Sequence, residues 1–481
     1  MTNSNSRQVI GFGAAVSFVI GGVIGSGIFM KPATMAGELG SPLWLIAVWI
    51  IGGVFTMIGA LIYSEIGAML PKTGGLYVYL RFMYGDFVAF MYGWAAFTVI
   101  NTASVSAIAF VCAAYADYFF HMPRLSPAME KSFVWHIPYL GNLYPLANLG
   151  VKSLAIALVI GITGLNYLTT RGSSVLQFIS TVLKVAVIVA LVAGIFFSGN
   201  GHAENFFLSS RVNPKHGWLL IGGIIGAMTS AFMAYDGWIN LTFVGGEIIN
   251  PQKNIPRSLI TGVFGCIIIY VLLNLAFLYV LPIDQVAASS LVASDAIARA
   301  LGNTSGAIIA GMIVICTFGA INSCNMSEAR VTYTMSRDNL FFSWAGKEHP
   351  RFQTPGNALL MHGVLACLFI ISGSFDMLAD IFTFVAWLFY LLGAIGIFIL
   401  RRKMPQMPRP YRVWAYPWLP LLFILFAAFY VISTIWNDVN NYISGTTPVV
   451  NSLLGLAITS LGIPLYLYFK KSQAALRQEK D

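Results

Sequence analysis

Val19-Ile20-Gly21-Gly22-Val23-Ile24-Gly25-Ser26-Gly27-Ile28-Phe29 lies inside an apolar run that extends from about residue 9 to 37. A helix needs ~20 mostly apolar residues to cross a bilayer, and this run is long enough. Four of the seven residues from Gly21 to Gly27 are glycine, and each weakens a helix interior by ~1 kcal/mol relative to alanine. Two readings stay open. The glycines admit the close approach of a neighbouring helix, or the helix unwinds and bares its peptide groups. Bare N–H and C=O groups are costly in lipid unless they line a polar cavity, so the second reading implies a binding site.

Outward from this stretch, eleven more apolar runs follow, at roughly 43–70, 85–119, 151–168, 173–197, 217–248, 259–281, 304–327, 357–373, 377–400, 417–436 and 449–469. The chain of 481 residues is 58% hydrophobic and 9% charged, against roughly 25% charged in soluble domains. That excludes a soluble globule, a disordered chain and a disulfide scaffold. The net charge of +9 would suggest a nucleic-acid partner in a soluble protein. Here the basic residues fall between spans, so no nucleic acid is expected and the lipid bilayer is the partner. Twelve spans put both termini on one side. That side holds 19 of the 27 lysines and arginines and the other side 7, with Lys184 left inside a span. The bias predicts cytoplasmic termini. The first run is too long for the apolar core of a cleavable signal peptide. Cys112, Cys266, Cys316, Cys324 and Cys367 lie within apolar runs and read as small buried hydrophobes. No metal spacing, cofactor motif or nucleotide loop is present, so no cofactor, metal or ATP coupling is expected. The loop at about 120–150 reads as a structured cap or a wandering loop. Trp414, Tyr416 and Trp418 fit an aromatic interface belt.

The sixth run carries Phe232-Met233-Ala234-Tyr235-Asp236-Gly237-Trp238-Ile239-Asn240, a second interruption five spans after the first. Matching interruptions in two five-helix halves are the sequence sign of an inverted-repeat transporter. The helix restarting at Ser26 and Gly27 would offer N–H donors and a positive dipole end to a carboxylate. Freed carbonyls near Val23 and from Met233 to Asp236 would accept from an ammonium. Together they suit a zwitterion. Asp236 could bind a substrate cation, carry a proton or cap the broken helix. Lys184 is central in the fifth span and costs on the order of 3 kcal/mol there. It must face the interior, as a packing partner or as a cation beside the substrate path. Asn322, Ser323, Asn325 and Ser327 in the eighth run serve as interhelical glue or as site residues. Glu65, Glu247 and Glu328 are expected to pair with loop arginines rather than with a ligand.

These residues are similar to those of the amino acid–polyamine–organocation superfamily, and within it the L-type amino acid transporter family. The resemblance rests on motifs in family order from about residue 9 to 420: Ile24-Gly25-Ser26-Gly27-Ile28-Phe29, Tyr63-Ser64-Glu65-Ile66-Gly67, Pro71-Lys72-Thr73-Gly74-Gly75-Leu76-Tyr77, Gln177 with Lys184, Ala234-Tyr235-Asp236-Gly237-Trp238, Gly246-Glu247-Ile248-Ile249-Asn250-Pro251, Ala329-Arg330 with Ser336-Arg337-Asp338, and Arg409-Pro410-Tyr411. It implies an all-α polytopic membrane protein with a LeuT-like fold. Two inverted five-helix repeats, 9–197 and 217–400, would be followed by two further helices at 417–469. Residues 1–8 and 470–481 would be cytoplasmic tails, in a multi-pass protein of the plasma membrane (the inner membrane in a bacterium).

The resemblance also implies the site. Val23, Gly25, Ser26, Gly27, Met233, Ala234, Asp236 and Trp238 would bind substrate. Lys184 would take the role of a sodium ion and bridge the first and eighth helices, with Asn322 and Ser323 in support. Met233 stands where many relatives have an aromatic gate. The outer loop between spans three and four has no cysteine, so no disulfide-linked heavy chain is expected. The Gly245-Gly246-Glu247 run leans towards bacterial serine/threonine exchangers. The expected activity is sodium-independent exchange of small neutral L-amino acids by alternating access, in a permease rather than an enzyme. Two other readings are a cationic amino acid or polyamine antiporter using Asp236, and a nutrient sensor that binds without transport. Polyamines lack a carboxylate, so competition by carboxyl-blocked amino acids would favour the antiporter. A sensor would carry a long signalling tail, whereas about a dozen residues follow Phe469.

Overall fold

The computed structural model describes residues 8, 10–210, 216–352 and 354–478, with side chains described except at 170–178, 323, 326–328 and 472–478. Gln177, Ser323, Ser327 and Glu328 therefore have side chains outside the described residues. The chain forms helices α1 (Phe12–Val23), α2 (Gly27–Leu39), α3 (Pro42–Met69), α4 (Gly75–Tyr84), α5 (Asp86–Ala95) and α6 (Asn101–Phe120), the last two joined by a π-helical turn, Ala96–Ile100. Helix α7 (Pro127–Glu130) and a hairpin, β1 (Trp135–Ile137) and β2 (Gly141–Leu143), precede α8 (Leu149–Leu168), α9 (Thr170–Phe196) and α10 (Gly217–Tyr235). Then come α11 (Asn240–Phe243), α12 (Pro251–Val280), α13 (Ile283–Ala288), α14 (Val292–Leu301) and α15 (Asn303–Arg337). The chain finishes with α16 (Gly356–Ser372), α17 (Phe375–Lys403), α18 (Trp418–Ile443), α19 (Asn451–Ser460) and α20 (Gly462–Gln478).

Among the described residues ten helices are long and apolar enough to cross a membrane, and the pair α1–α2, bent by 41°, makes eleven. The remaining expected crossing is α16, with 17 residues. At 1.5 Å per residue it is about 26 Å long, short of a ~30 Å hydrocarbon core. The sixth run is interrupted where expected, but only short turns follow the break. Helix stops at Tyr235, because Asp236 is extended (ψ 165°) and Gly237 has φ +94°. One helical turn, α11, and a 3₁₀ turn at Gly245–Glu247 complete the segment.

Long helices pack in pairs: α3 along α12, α6 along α15, α2 against α10, and α1 against α12. Each end of the bundle is pinned by polar contacts. At the hairpin end the cap is structured, as Asn142 N donates to Pro448 O and Val450 N to Leu140 O. Lys152 Nζ donates to the carbonyls of Tyr144, Pro145 and Ile371 at 2.9–3.1 Å. Lys31, buried on α2, pairs with Asp376 of α17 at 2.7 Å. At the other end Glu65 receives both Nε and Nη2 of Arg401 and the backbone N–H of Val413. Glu247 pairs with Arg330 at 2.8 Å. Both acids thus pair with arginines as expected, Glu65 with Arg401 of α17 and, at 3.6 Å, with Arg409 in the following loop, and Glu247 with Arg330 of α15 rather than with a loop arginine. Ile10 adds a strand-like bridge to the end of the sixth segment, through Ile10 N to Glu247 O and Ile249 N to Ile10 O.

Candidate functional site

Helix α1 ends at Val23 and α2 starts at Gly27, so Ile24–Ser26 is the break in the first span. Helix ends leave peptide groups without helical partners. Among the described residues the N–H groups of Gly25, Ser26, Gly27 and Ile28 have no hydrogen-bond acceptor. They stand at the N-terminus of α2, where the helix dipole favours negative charge. The first such carbonyl after this N-terminus, Ser26 O, is occupied by Phe29 N and Met30 N.

The two broken spans touch at their glycines. A Cβ on Gly237 would lie 2.5 Å from Gly22 O, and Gly237 also has φ +94°. A Cβ on Gly27 would lie 2.6 Å from Ala234 Cα and 2.8 Å from Met233 Sδ. Both readings of the glycine run therefore hold at once: Gly27 gives close helix packing and also sits at the unwound turn. Gly25 is different, since a Cβ there meets only Val23 O, at 3.9 Å.

Between the breaks lies a cavity of about 50 Å³, a few times what one water requires. Its walls include Val23, Gly25, Ser26, Gly27, Met233, Ala234 and Asp236, seven of the eight residues expected to bind substrate. Trp238 is not on the wall. It packs behind it, against the rings of Tyr63 (5.4 Å) and Tyr390 (5.5 Å). Asp236 Oδ1 accepts from Tyr390 Oη at 2.6 Å. Asp236 N also donates to Met233 O at 3.3 Å, so one expected ammonium acceptor carries a backbone partner already.

Lys184 does not line the cavity. Its Nζ donates to Gly21 O at 3.0 Å, one turn before the break, so it braces the last turns of α1 from behind. Its helix α9 packs along α15, with Ser180 Oγ directed at Cys316 O. Asn322 is buried and off the cavity wall, while Asn325 donates to Thr163 of α8 at 3.1 Å, as interhelical glue.

Several wall residues were not foreseen: Tyr92, Asn101 and Ser104 from the third span, Asn240 and Phe243 after the sixth, Cys324 from the eighth, and Phe382 and Tyr390 from the tenth. A further one acts on the wall from outside. Tyr270 of α12 is fully buried, and its hydroxyl lies 2.7 Å from Val23 O and 2.8 Å from Ala234 O. One phenol thus ties the end of α1 to the end of α10. Its ring packs on Tyr235 and Trp49. A polar residue in an apolar run was the available signal for Asn101. Nothing in the sequence distinguishes Tyr270 from a packing aromatic. A second, larger cavity of about 930 Å³ opens near the hairpin end, bounded by Asp376, Asp380, Lys152 and Arg124.

The profile of the family described as "Amino acid permease" matches residues 10–459. The chain is 29% identical over 472 residues to the serine/threonine exchanger SteT of Bacillus subtilis, covering 98% of each chain. It is 28% identical over 434 residues to the human b(0,+)-type amino acid transporter 1, covering 89% of this chain and 83% of that one. It is also 28% identical over 470 residues to the mouse large neutral amino acids transporter small subunit 2, covering 96% and 80%. A family that moves amino acids, a bundle of membrane-crossing helices and a small cavity between two helix breaks agree with one another: the chain belongs to the amino acid permease family of the amino acid–polyamine–organocation superfamily, and is a multi-span membrane transporter of amino acids rather than an enzyme.

Proposed function

We propose that this permease is a sodium-independent exchanger of small neutral L-amino acids that works by alternating access around its first and sixth spans. The observation that carries the reading is the run of unpartnered N–H groups at the start of α2, three of which, on Gly25, Ser26 and Gly27, belong to residues that line a cavity of about 50 Å³. They would hold the substrate carboxylate. The carbonyls of Val23, Ala234 and Asp236 would take the ammonium, since each carbonyl oxygen has two lone pairs. The small volume favours a short side chain. Lys184 donating to Gly21 O supports a fixed cation in place of sodium.

The same reading takes the fold as LeuT-like with twelve crossings, repeats at 9–197 and 217–400, and two further helices at 417–469. The pairing of α3 with α12 and α6 with α15 supports it, because these are corresponding members of the two repeats. The basic bias of the terminal side supports cytoplasmic termini, with the hairpin end outside. No disulfide-linked heavy chain is part of the proposal. A second reading, a cationic amino acid or polyamine antiporter, draws on Asp236 at the cavity wall.

Proteoliposomes preloaded with radiolabelled L-serine test both. External small neutral L-amino acids should stimulate efflux, equally in sodium and in choline. Efflux that requires sodium, or that runs as fast without external substrate, would overturn the proposal. Stimulation by putrescine would favour the second reading.

A further inference from the structure

The third span contains a wide π-helical turn, Ala96–Ile100, between α5 and α6. Thr102 shows the same widening, its hydroxyl donating to the carbonyl five residues back, Phe97 O, at 2.6 Å. The turn decides what faces the cavity. An α-helix advances ~100° per residue, so Tyr92 and Ser104, on one continuous α-helix, would point about 120° apart. One additional residue in the wide turn takes back about 100° of that. Tyr92, Asn101, Ser104 and Ile108 all reach the cavity wall.

Asn101 stands directly after this turn. It is 5% exposed, it lines the cavity, and its amide nitrogen has no hydrogen-bond partner among the described residues. Its polar neighbours are satisfied: Thr98 donates to Trp94 O, Thr102 to Phe97 O, and Ser106 to Thr102 O and Ala366 O. A buried amide donor left unpaired is costly, and this one is unpaired only where a ligand would sit. The helix breaks offer mainly backbone, N–H groups from Gly25 to Gly27 and carbonyls from Val23 to Asp236, together with the Ser26 hydroxyl and the Asp236 carboxylate. The backbone groups recognise what every amino acid has. A side-chain donor on a separate span is left for what differs among them.

We propose that Asn101 is a specificity-determining residue: its amide donates to an acceptor oxygen on the substrate side chain, with the Ser104 hydroxyl one turn along as its neighbour. The site then prefers L-amino acids bearing a β-hydroxyl over apolar isosteres. This rests on the exchanger reading above and deepens it. A site built to hydrogen-bond a hydroxyl rejects the analogue that lacks it far more strongly than an apolar pocket separates near-isosteres.

The test is counterflow in proteoliposomes with L-threonine, its isostere L-valine, and L-alanine as a side-chain-free reference. Wild-type protein should favour threonine over valine by at least about tenfold in kcat/KM. Asn101→Ala should bring that ratio near one while alanine exchange persists, and Asn101→Gln, which keeps the amide, should restore part of it. Three results overturn the proposal. The wild type could exchange threonine and valine equally. The ratio could survive in Asn101→Ala. Or all three substrates could fall by one common factor in both variants, which is what a purely structural Asn101 would give. If Asn101→Ala does not accumulate as folded protein, Asn101→Ser, with a shorter donor, must give an intermediate ratio, and a wild-type ratio there also overturns the proposal. A wild type that exchanges no neutral amino acid defeats the exchanger reading itself, and this proposal with it. The wild-type arm alone separates that case.

Discussion

The breaks in the first and sixth spans are built differently. The first joins two comparable helices, 12 and 13 residues long, through a turn without a charged side chain, and it presents unpaired N–H donors beside the Val23 carbonyl. The sixth ends a 19-residue helix on Asp236 and Gly237, continues as single turns, and presents carbonyls and a carboxylate. One break is chiefly a donor surface, backbone N–H groups with the Ser26 hydroxyl among them. The other is an acceptor surface whose only charge, on Asp236, is already met by Tyr390. A zwitterion needs one of each, and the contact of Gly22 with Gly237 sets the spacing between them.

Changes at that contact should have the largest effect. Gly237→Val places a β-branched residue at φ +94° against Gly22 O. A destabilisation of more than ~2 kcal/mol is expected, read as loss of a monodisperse peak in detergent. Lys184→Ala removes the brace on the donor break but leaves the acceptor break intact. Losing a charged hydrogen bond of ~1.5–3 kcal/mol should lower exchange by about 100-fold in folded protein; normal uptake would remove Lys184 from the mechanism. Tyr270→Phe strips the shared hydroxyl from both breaks together. A neutral hydrogen bond of about 1 kcal/mol predicts a KM raised by roughly five- to tenfold, with kcat changed less.

Smaller effects separate the roles of single glycines. Gly25→Ala adds a methyl with room around it, so folding should be normal and substrate affinity should drop about threefold in a binding titration. Gly27→Ala meets backbone at 2.6 Å and should lose thermal stability first. The smallest change is expected from Tyr390→Phe. It uncovers one oxygen of Asp236, and competition of L-serine exchange by L-arginine should strengthen by about twofold. No change would mean that the Asp236 carboxylate does not face the ligand.

Much of this arrangement was legible in the chain. Apolar runs gave the spans because lipid demands length and composition, and the glycines and Asp236 gave the breaks because they are costly in a membrane helix. The run at 357–373 satisfied composition but not length once folded as α16. Trp238 was misplaced for a plain reason: a residue one position past Gly237 changes direction with the turn, and here it packs behind the wall. Tyr270 and Tyr390 were invisible. Their partners lie at Val23 and Asp236, far away in sequence, and only the packing of α12 and α17 reveals them. Asn101 could be seen as polar, but its facing depends on the π-helical turn, which no periodicity in the sequence marks.

The bridge made by Tyr270 has a consequence for the resting carrier. A phenol owns a single hydrogen, yet two oxygens sit within reach of it. At every instant one of the pair goes without, and an arriving ammonium group, with three hydrogens to give, ends that shortage. A carrier that is eased by cargo and left wanting when empty has reason to wait for a replacement before it turns around.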